Sequence, residues 1–189
     1  MSHTDLGPYE KYFTKDGFLL TELINDDFIV AIKAAYNSKH YVSAMKLLLC
    51  FIDTIAYATY GDSTGGNFKA WLDKYCDLKS LGITSDELWE HRCSILHMTS
   101  LESRRVKAGM VASLIPYLGP ANLLHRLEPL ASNEKYYSLS DLVKSVMHGA
   151  NTFIEAVRSD SALEKAFFEN YSAIISDTNV EVLAEQKPV

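Results

Sequence analysis

Arg92 and His97 stand five residues apart in the stretch ELWEHRCSILHMTS, residues 87–100. An arginine presents a rigid fork of donors matched to phosphate oxygens, and a histidine carries protons near neutral pH. Together they suit phosphodiester cleavage without a metal. His97 would take the proton from a ribose 2′-hydroxyl or give one to the leaving oxygen, while Arg92 would stabilise charge building on the phosphorus oxygens. Five residues of ideal helix set two side chains about 140° apart around the axis, so one helix does not focus both on one atom. Two copies facing each other across a symmetric dimer would, each supplying part of a shared cleft.

A structural role for the arginine stands beside this. At 100° per residue, Leu88, Trp89, Cys93, Ile95 and Leu96 define an apolar sector, with Arg92 near its centre and His97 at its edge. A guanidinium does not lose its proton, so one turned inward must be paired or must line a wet cleft or a subunit interface. Asp53, in an otherwise apolar helix, is a candidate partner in such an ion pair. It would equally support Arg92 in an active cleft, or share a polar stripe with Lys46 two turns earlier. His91, Arg104, Arg105 and Lys107 add positive charge around the pair, with Glu102 the only acid from residue 91 to 107. They are candidate RNA contacts, and "SRRVK" alone also reads as a solvated loop.

The composition bounds what such a site serves. With 189 residues, 48% of them hydrophobic, and a formal net charge of −6, the chain fits a folded domain whose overall field repels a polyanion, so any RNA site must be local. DNA is not expected as a partner. The three cysteines have no metal-ligand spacing, so neither zinc nor disulfides nor any cofactor is expected, and a cytoplasmic location fits reduced thiols. Residues 41–60 are the most apolar stretch and are interrupted by Lys46 and Asp53, which argues against a membrane span. "DSTGGN" lacks the Lys-Ser/Thr ending of a phosphate loop. His40, His125 and His148 have no partner spacing and read as surface or satisfied histidines.

The elements that must position the pair are helical. Leu23, Ile24, Phe28, Ile32 and Ala35 predict a helix over residues 22–36, and "HYVSAMKLLLCFIDTIAYATYG" predicts a central helix stopped at Gly61. Phe68, Trp71, Leu72 and Tyr75 share one stripe of a third, and Trp71 and Trp89 are expected to fill the core. Thr84 and Glu87 form a capping box that opens the helix carrying Arg92. Residues 100–135, broken by Gly109, Pro116, Gly119, Pro120 and Pro129, predict an irregular connection with room for a short strand or helical turn. A Ser138/Asp141 cap opens a helix through Val157, and a Ser161/Glu164 box opens another through Ile174. The expectation is an all-α bundle of about five to six helices in one domain, residues 1–176, with a polar tail over 177–189.

The segment "LWEHRCSILH" resembles the signature of the HEPN superfamily, an arginine and a histidine separated by four to six residues. "AMKLLLCFIDTIAYATYG" before it, then "FKAWLDKYC", and a long helix near the C-terminus are similar to the HEPN arrangement over residues 20–175. The resemblance implies a helical homodimer whose paired motifs meet in one cleft. It also implies a metal-independent endoribonuclease of toxin, phage-defence or stress systems, with an antitoxin or regulatory protein as a further partner. Active members often carry Asn, Asp or His directly after the arginine, where this chain has Cys93. Some toxin-type members show a tyrosine where Thr99 stands. The alternative is a silent HEPN-like module that binds RNA, a nucleotide or a protein.

Overall fold

A computed structural model of the chain describes residues 11–15, 17–62, 64–98, 103–119 and 133–176. Helices make up most of them, as the apolar spacing predicts, and the strands form two short pairs. The chain divides into two compact units, Met1–Leu48 and Leu49–Val189.

In the first unit, β1 (Phe13–Thr14) and β2 (Gly17–Phe18) pair antiparallel and lead into α1 (Leu20–Ile24). The helix continues through a π turn over Asn25–Ile29, where the Val30 N–H reaches back to the Asn25 carbonyl, and then becomes α2 (Val30–Asn37). The extra residue in that turn moves the buried stripe from Phe28, expected inside, to Ile29, which joins Leu20, Leu23, Ile24 and Ile32 in the core. Asp26 accepts from the Tyr12 hydroxyl at 2.9 Å and from Lys11 Nζ at 3.0 Å, tying the hairpin to this helix.

α3 (Tyr41–Tyr60) runs across the division between the units and ends at Gly61, whose φ of +76° reverses the chain. By length and composition it is the one described helix able to cross a membrane, and half of it is buried within the protein. Thr64 then caps α4 (Gly65–Tyr75), its Oγ1 accepting the Asn67 N–H at 3.3 Å. Phe68, Trp71, Leu72 and Tyr75 are all buried, as their spacing predicts, and Cys76 is the capping residue that ends the helix.

A 3₁₀ turn over Lys79–Leu81 leads to α5 (Ser85–Met98). Within the stretch expected to be irregular lie α6 (Arg104–Lys107) and β3 (Ser113–Tyr117). β3 pairs in parallel with β4 (Glu134–Ser138), from Ser113 opposite Glu134 to Tyr117 opposite Ser138. Pro116 sits comfortably in such a two-stranded sheet, where each strand has an unpaired side. Ser138 Oγ then accepts the Asp141 N–H at 3.2 Å and starts α7 (Leu139–Ser159), which lays Leu142, Val146, Phe153 and Val157 on its buried side.

α8 (Ser161–Ser176) follows at once. Its cap is Asp160, one residue before the expected Ser161: the carboxylate accepts the N–H groups of Ala162 at 2.9 Å and Leu163 at 3.1 Å. A charged acceptor at the positive end of a helix dipole is favoured there. The core of this unit is aromatic. Trp71 packs on Phe51, Tyr75 and Phe153, Phe153 on Phe167, and Phe167 stacks on Tyr171 at 5.4 Å. Each such side chain contributes roughly 1.5–3 kcal/mol through burial. The expected tail, residues 177–189, lies outside the described residues.

Candidate functional site around Arg92

The helix that carries Arg92 begins as predicted. Glu87 Oε2 accepts the Thr84 N–H at 2.9 Å and Thr84 Oγ1 accepts the Glu87 N–H at 3.2 Å, completing the capping box. Its rotation, however, is not the one that hydrophobicity suggests. Glu87, Leu88, Glu90, His91 and Ser94 face the interior, while Trp89, Arg92, Cys93 and Leu96 are only half-buried.

Partners from other elements explain the inversion. Glu87 Oε1 meets Lys135 Nζ of β4 at 2.8 Å, Glu90 Oε1 meets Arg105 Nη1 of α6 at 3.3 Å, and Ser94 Oγ donates to the Glu90 carbonyl at 3.0 Å. His91 Nε2 lies 3.1 Å from the Tyr137 hydroxyl of β4. Paired in this way, Glu87, Glu90 and Ser94 tolerate burial that would otherwise cost several kcal/mol each, whereas His91 is paired at one ring nitrogen only. The apolar sector of α5 is thereby split: Leu88 is buried, while Trp89, Cys93, Ile95 and Leu96 are half-buried with Arg92 among them.

Arg92 is held on two sides. Its Nε and Nη2 both meet Asp53 Oδ2 of α3 at 2.6 Å, so the ion pair that the sequence offers as a structural alternative is formed. The guanidinium carbon also stands 5.1 Å from the centroid of the Trp89 ring, a cation–π distance. Trp89 is thereby a half-exposed platform and not the core filler expected. Its indole presses on Gly65, where a Cβ would come within 2.6 Å of Cε2, and tilts against Phe68 at 5.3 Å.

Two thiols complete the surroundings. Burial raises the Cys50 thiol above its ordinary range, and Asp53 adds to this. Burial raises Cys93 likewise, with Arg92 acting in the opposite direction. Both are therefore protonated at neutral pH and poor nucleophiles. Among the described residues no three His, Cys, Asp or Glu side chains gather as a metal site.

The remaining predicted site residues separate. α5 runs through the position of His97, whose side chain lies outside the described residues, as do Glu102 and Thr99. His91 is no RNA contact: it is 2% exposed, and burial lowers its pKa to about 4, so it is neutral at physiological pH. Arg105 is engaged by the protein's own carboxylates, with Nη1 and Nη2 on the two oxygens of Asp86 at 2.9 and 2.8 Å. Arg105, followed by Lys69, holds the Asp86 carboxyl at about 2. The positive charge expected of "SRRVK" is thus partly cancelled, leaving Arg104 and Lys107 exposed. His40 and His148 are exposed as expected, and His125 lies outside the described residues.

The sequence held a signal for the Trp89 platform in the i, i+3 spacing of Trp89 and Arg92. It held none for Gly65, which meets Trp89 only through tertiary packing. An open concavity at the other end of α5, lined by Asp73, Cys76, Asp77, Ile83, Thr84 and Ser85, does not include Arg92. Comparison of the chain with protein-family models, with curated proteins and with solved structures returns no match.

Proposed function

We propose that the protein is a metal-independent endoribonuclease of HEPN type, acting as a cytoplasmic homodimer in a toxin, defence or stress setting. The observation that carries this reading is the half-buried apolar surface of α5 around Arg92. A permanent cation, Arg92, sits there among Trp89, Cys93 and Leu96, all half-buried, five residues before His97 on the same helix. A second copy would complete the burial of this surface and bring two motifs together. At 100° per residue, Arg92 and His97 lie about 140° apart around the axis, with Trp89, Cys93 and Leu96 between them. In a two-fold pair, one copy's His97 would remove the 2′-hydroxyl proton as the oxygen attacks the adjacent phosphorus. The other would protonate the departing 5′-oxygen, leaving a 2′,3′-cyclic phosphate, with Arg92 on the phosphoryl oxygens. DNA, lacking the 2′-hydroxyl, would not be cut.

A second reading is a catalytically silent module that binds RNA, a nucleotide or a protein partner such as an antitoxin. Cys93 beside Arg92 and the closed Arg92–Asp53 contact favour it. Incubating the purified protein with structured and single-stranded RNA in EDTA, with His97→Ala alongside, separates the two. Cleavage by the parent and not the variant supports the nuclease. Silence from a folded, dimeric parent supports the binding module.

A further inference from the structure

Asp53 is an unusual neighbour for an arginine meant to meet an external anion. Nε and Nη2 are the donors on one edge of the guanidinium, and that edge is one with which arginine grips a phosphate through two parallel hydrogen bonds. Both point at a single carboxylate oxygen, Asp53 Oδ2, at 2.6 Å each. The pair is not sealed: the two side chains keep 19% and 24% of their exposure. Trp89, backed by Gly65 and Phe68, fixes one side of the guanidinium independently of Asp53. Removing the carboxylate would therefore leave the arginine positioned, with the Asp53 contact no longer holding that edge.

We propose that Asp53 is an internal stand-in for phosphate, an acceptor that occupies the donor edge of Arg92 in the anion-free protein and is displaced when a phosphate group binds. This rests on the reading of Arg92 as a phosphate-binding residue and adds a mode of regulation to it. Asp53 is tethered on α3, so it competes at high effective concentration against any single free anion. One carboxylate oxygen shared by two donors is also a poorer match than two phosphoryl oxygens, one for each. The latch thus disfavours small anions and yields to a ligand that supplies further contacts of its own, as an RNA strand does.

The test uses the full chain and inorganic phosphate as probe, read by tryptophan emission. Of the two tryptophans, Trp71 is fully buried and Trp89 lies under the guanidinium, so displacement of the pair is read at Trp89. Asp53→Asn keeps the side-chain volume and removes the competing charge. It should bind phosphate about tenfold or more tightly than the parent, and adding Arg92→Gln should abolish the gain. Equal or weaker binding by a folded Asp53→Asn overturns the latch.

Should that variant fail to fold, the Arg92 side-chain Nε–H resonance of the unaltered protein serves instead. It should move on addition of a short single-stranded RNA and stay nearly still with inorganic phosphate alone, and a resonance that is stationary with RNA overturns the proposal. The nuclease reading fails separately, in the RNA assay: tighter phosphate binding with uncut RNA keeps the latch and removes the ribonuclease.

Discussion

His91 and Tyr137 meet inside the protein, ring nitrogen to hydroxyl at 3.1 Å and ring edge to ring face, joining the middle of α5 to the end of β4. The other ring nitrogen, Nδ1, is buried with no partner among the described residues. Protonating this imidazole would put a charge in a place where burial strips it of solvent.

Stability should therefore fall with pH over a defined window. Burial lowers His91 from 6.5 to about 4. Above 6.5 the ring is neutral folded or unfolded and costs nothing. Between 6.5 and about 4 the unfolded chain takes up a proton that the folded chain refuses, so stability drops, by about 3 kcal/mol across the window. Urea unfolding at pH 7.5 and pH 5 should show this decline, and His91→Gln should flatten it. An unchanged slope in the variant would assign the effect elsewhere.

The crossing of α4 and α7 depends on Gly149. A Cβ there would lie 2.7 Å from Cys76 Sγ and 2.8 Å from the Tyr75 carbonyl oxygen. Gly149→Ala gains about 1 kcal/mol of helix propensity. It should nonetheless destabilise by roughly 1–3 kcal/mol through overpacking. Adding Cys76→Ala should fail to rescue it, because the backbone oxygen remains. Full recovery in thermal melts would show that the thiol alone set the clash.

Gly65→Ala should behave differently. Its Cβ would collide with the Trp89 ring, a half-exposed side chain that has room to turn away. The melting temperature should change little, while any RNA cleavage or phosphate binding that needs Arg92 should fall several-fold as its platform is displaced, since a shift of about 1 Å in a catalytic group is costly. A variant with unaltered activity would remove Trp89 from the site.

Two ionic contacts of α5 should differ in strength. Glu87, buried, holds both the Thr84 N–H and Lys135, so Glu87→Ala should cost about 1–2 kcal/mol. Arg105 shares an exposed pairing with Asp86 as well as Glu90, and Arg105→Ala should cost under about 1 kcal/mol. Denaturant midpoints of the two variants check the order, and the reverse order would refute it.

Much of the local structure was readable from residue types. Thr84 with Glu87, Ser138 with Asp141 and the stop at Gly61 depend on neighbours within a few positions, and the Phe68–Tyr75 stripe needs only a regular period. The orientation of α5 was not readable in the same way. Its buried side is set by Arg105, Lys135 and Tyr137, which lie 15, 48 and 46 positions from their partners Glu90, Glu87 and His91. Without those partners an apolar count turns the helix the wrong way and makes His91 a surface cation. Asp53 with Arg92 was offered by the sequence as one of several pairings, because an unpaired charge in an apolar helix must be answered somewhere.

Ser138 is the last residue of β4, opposite Tyr117 in the parallel ladder, and its hydroxyl also starts α7. A slip of the strand by one position would leave that local cap intact but swing Tyr137 to the other side of the sheet, away from His91. Strand register and the buried imidazole contact are thus checked by one residue. During folding, a misaligned sheet loses both together, while the start of α7 forms regardless.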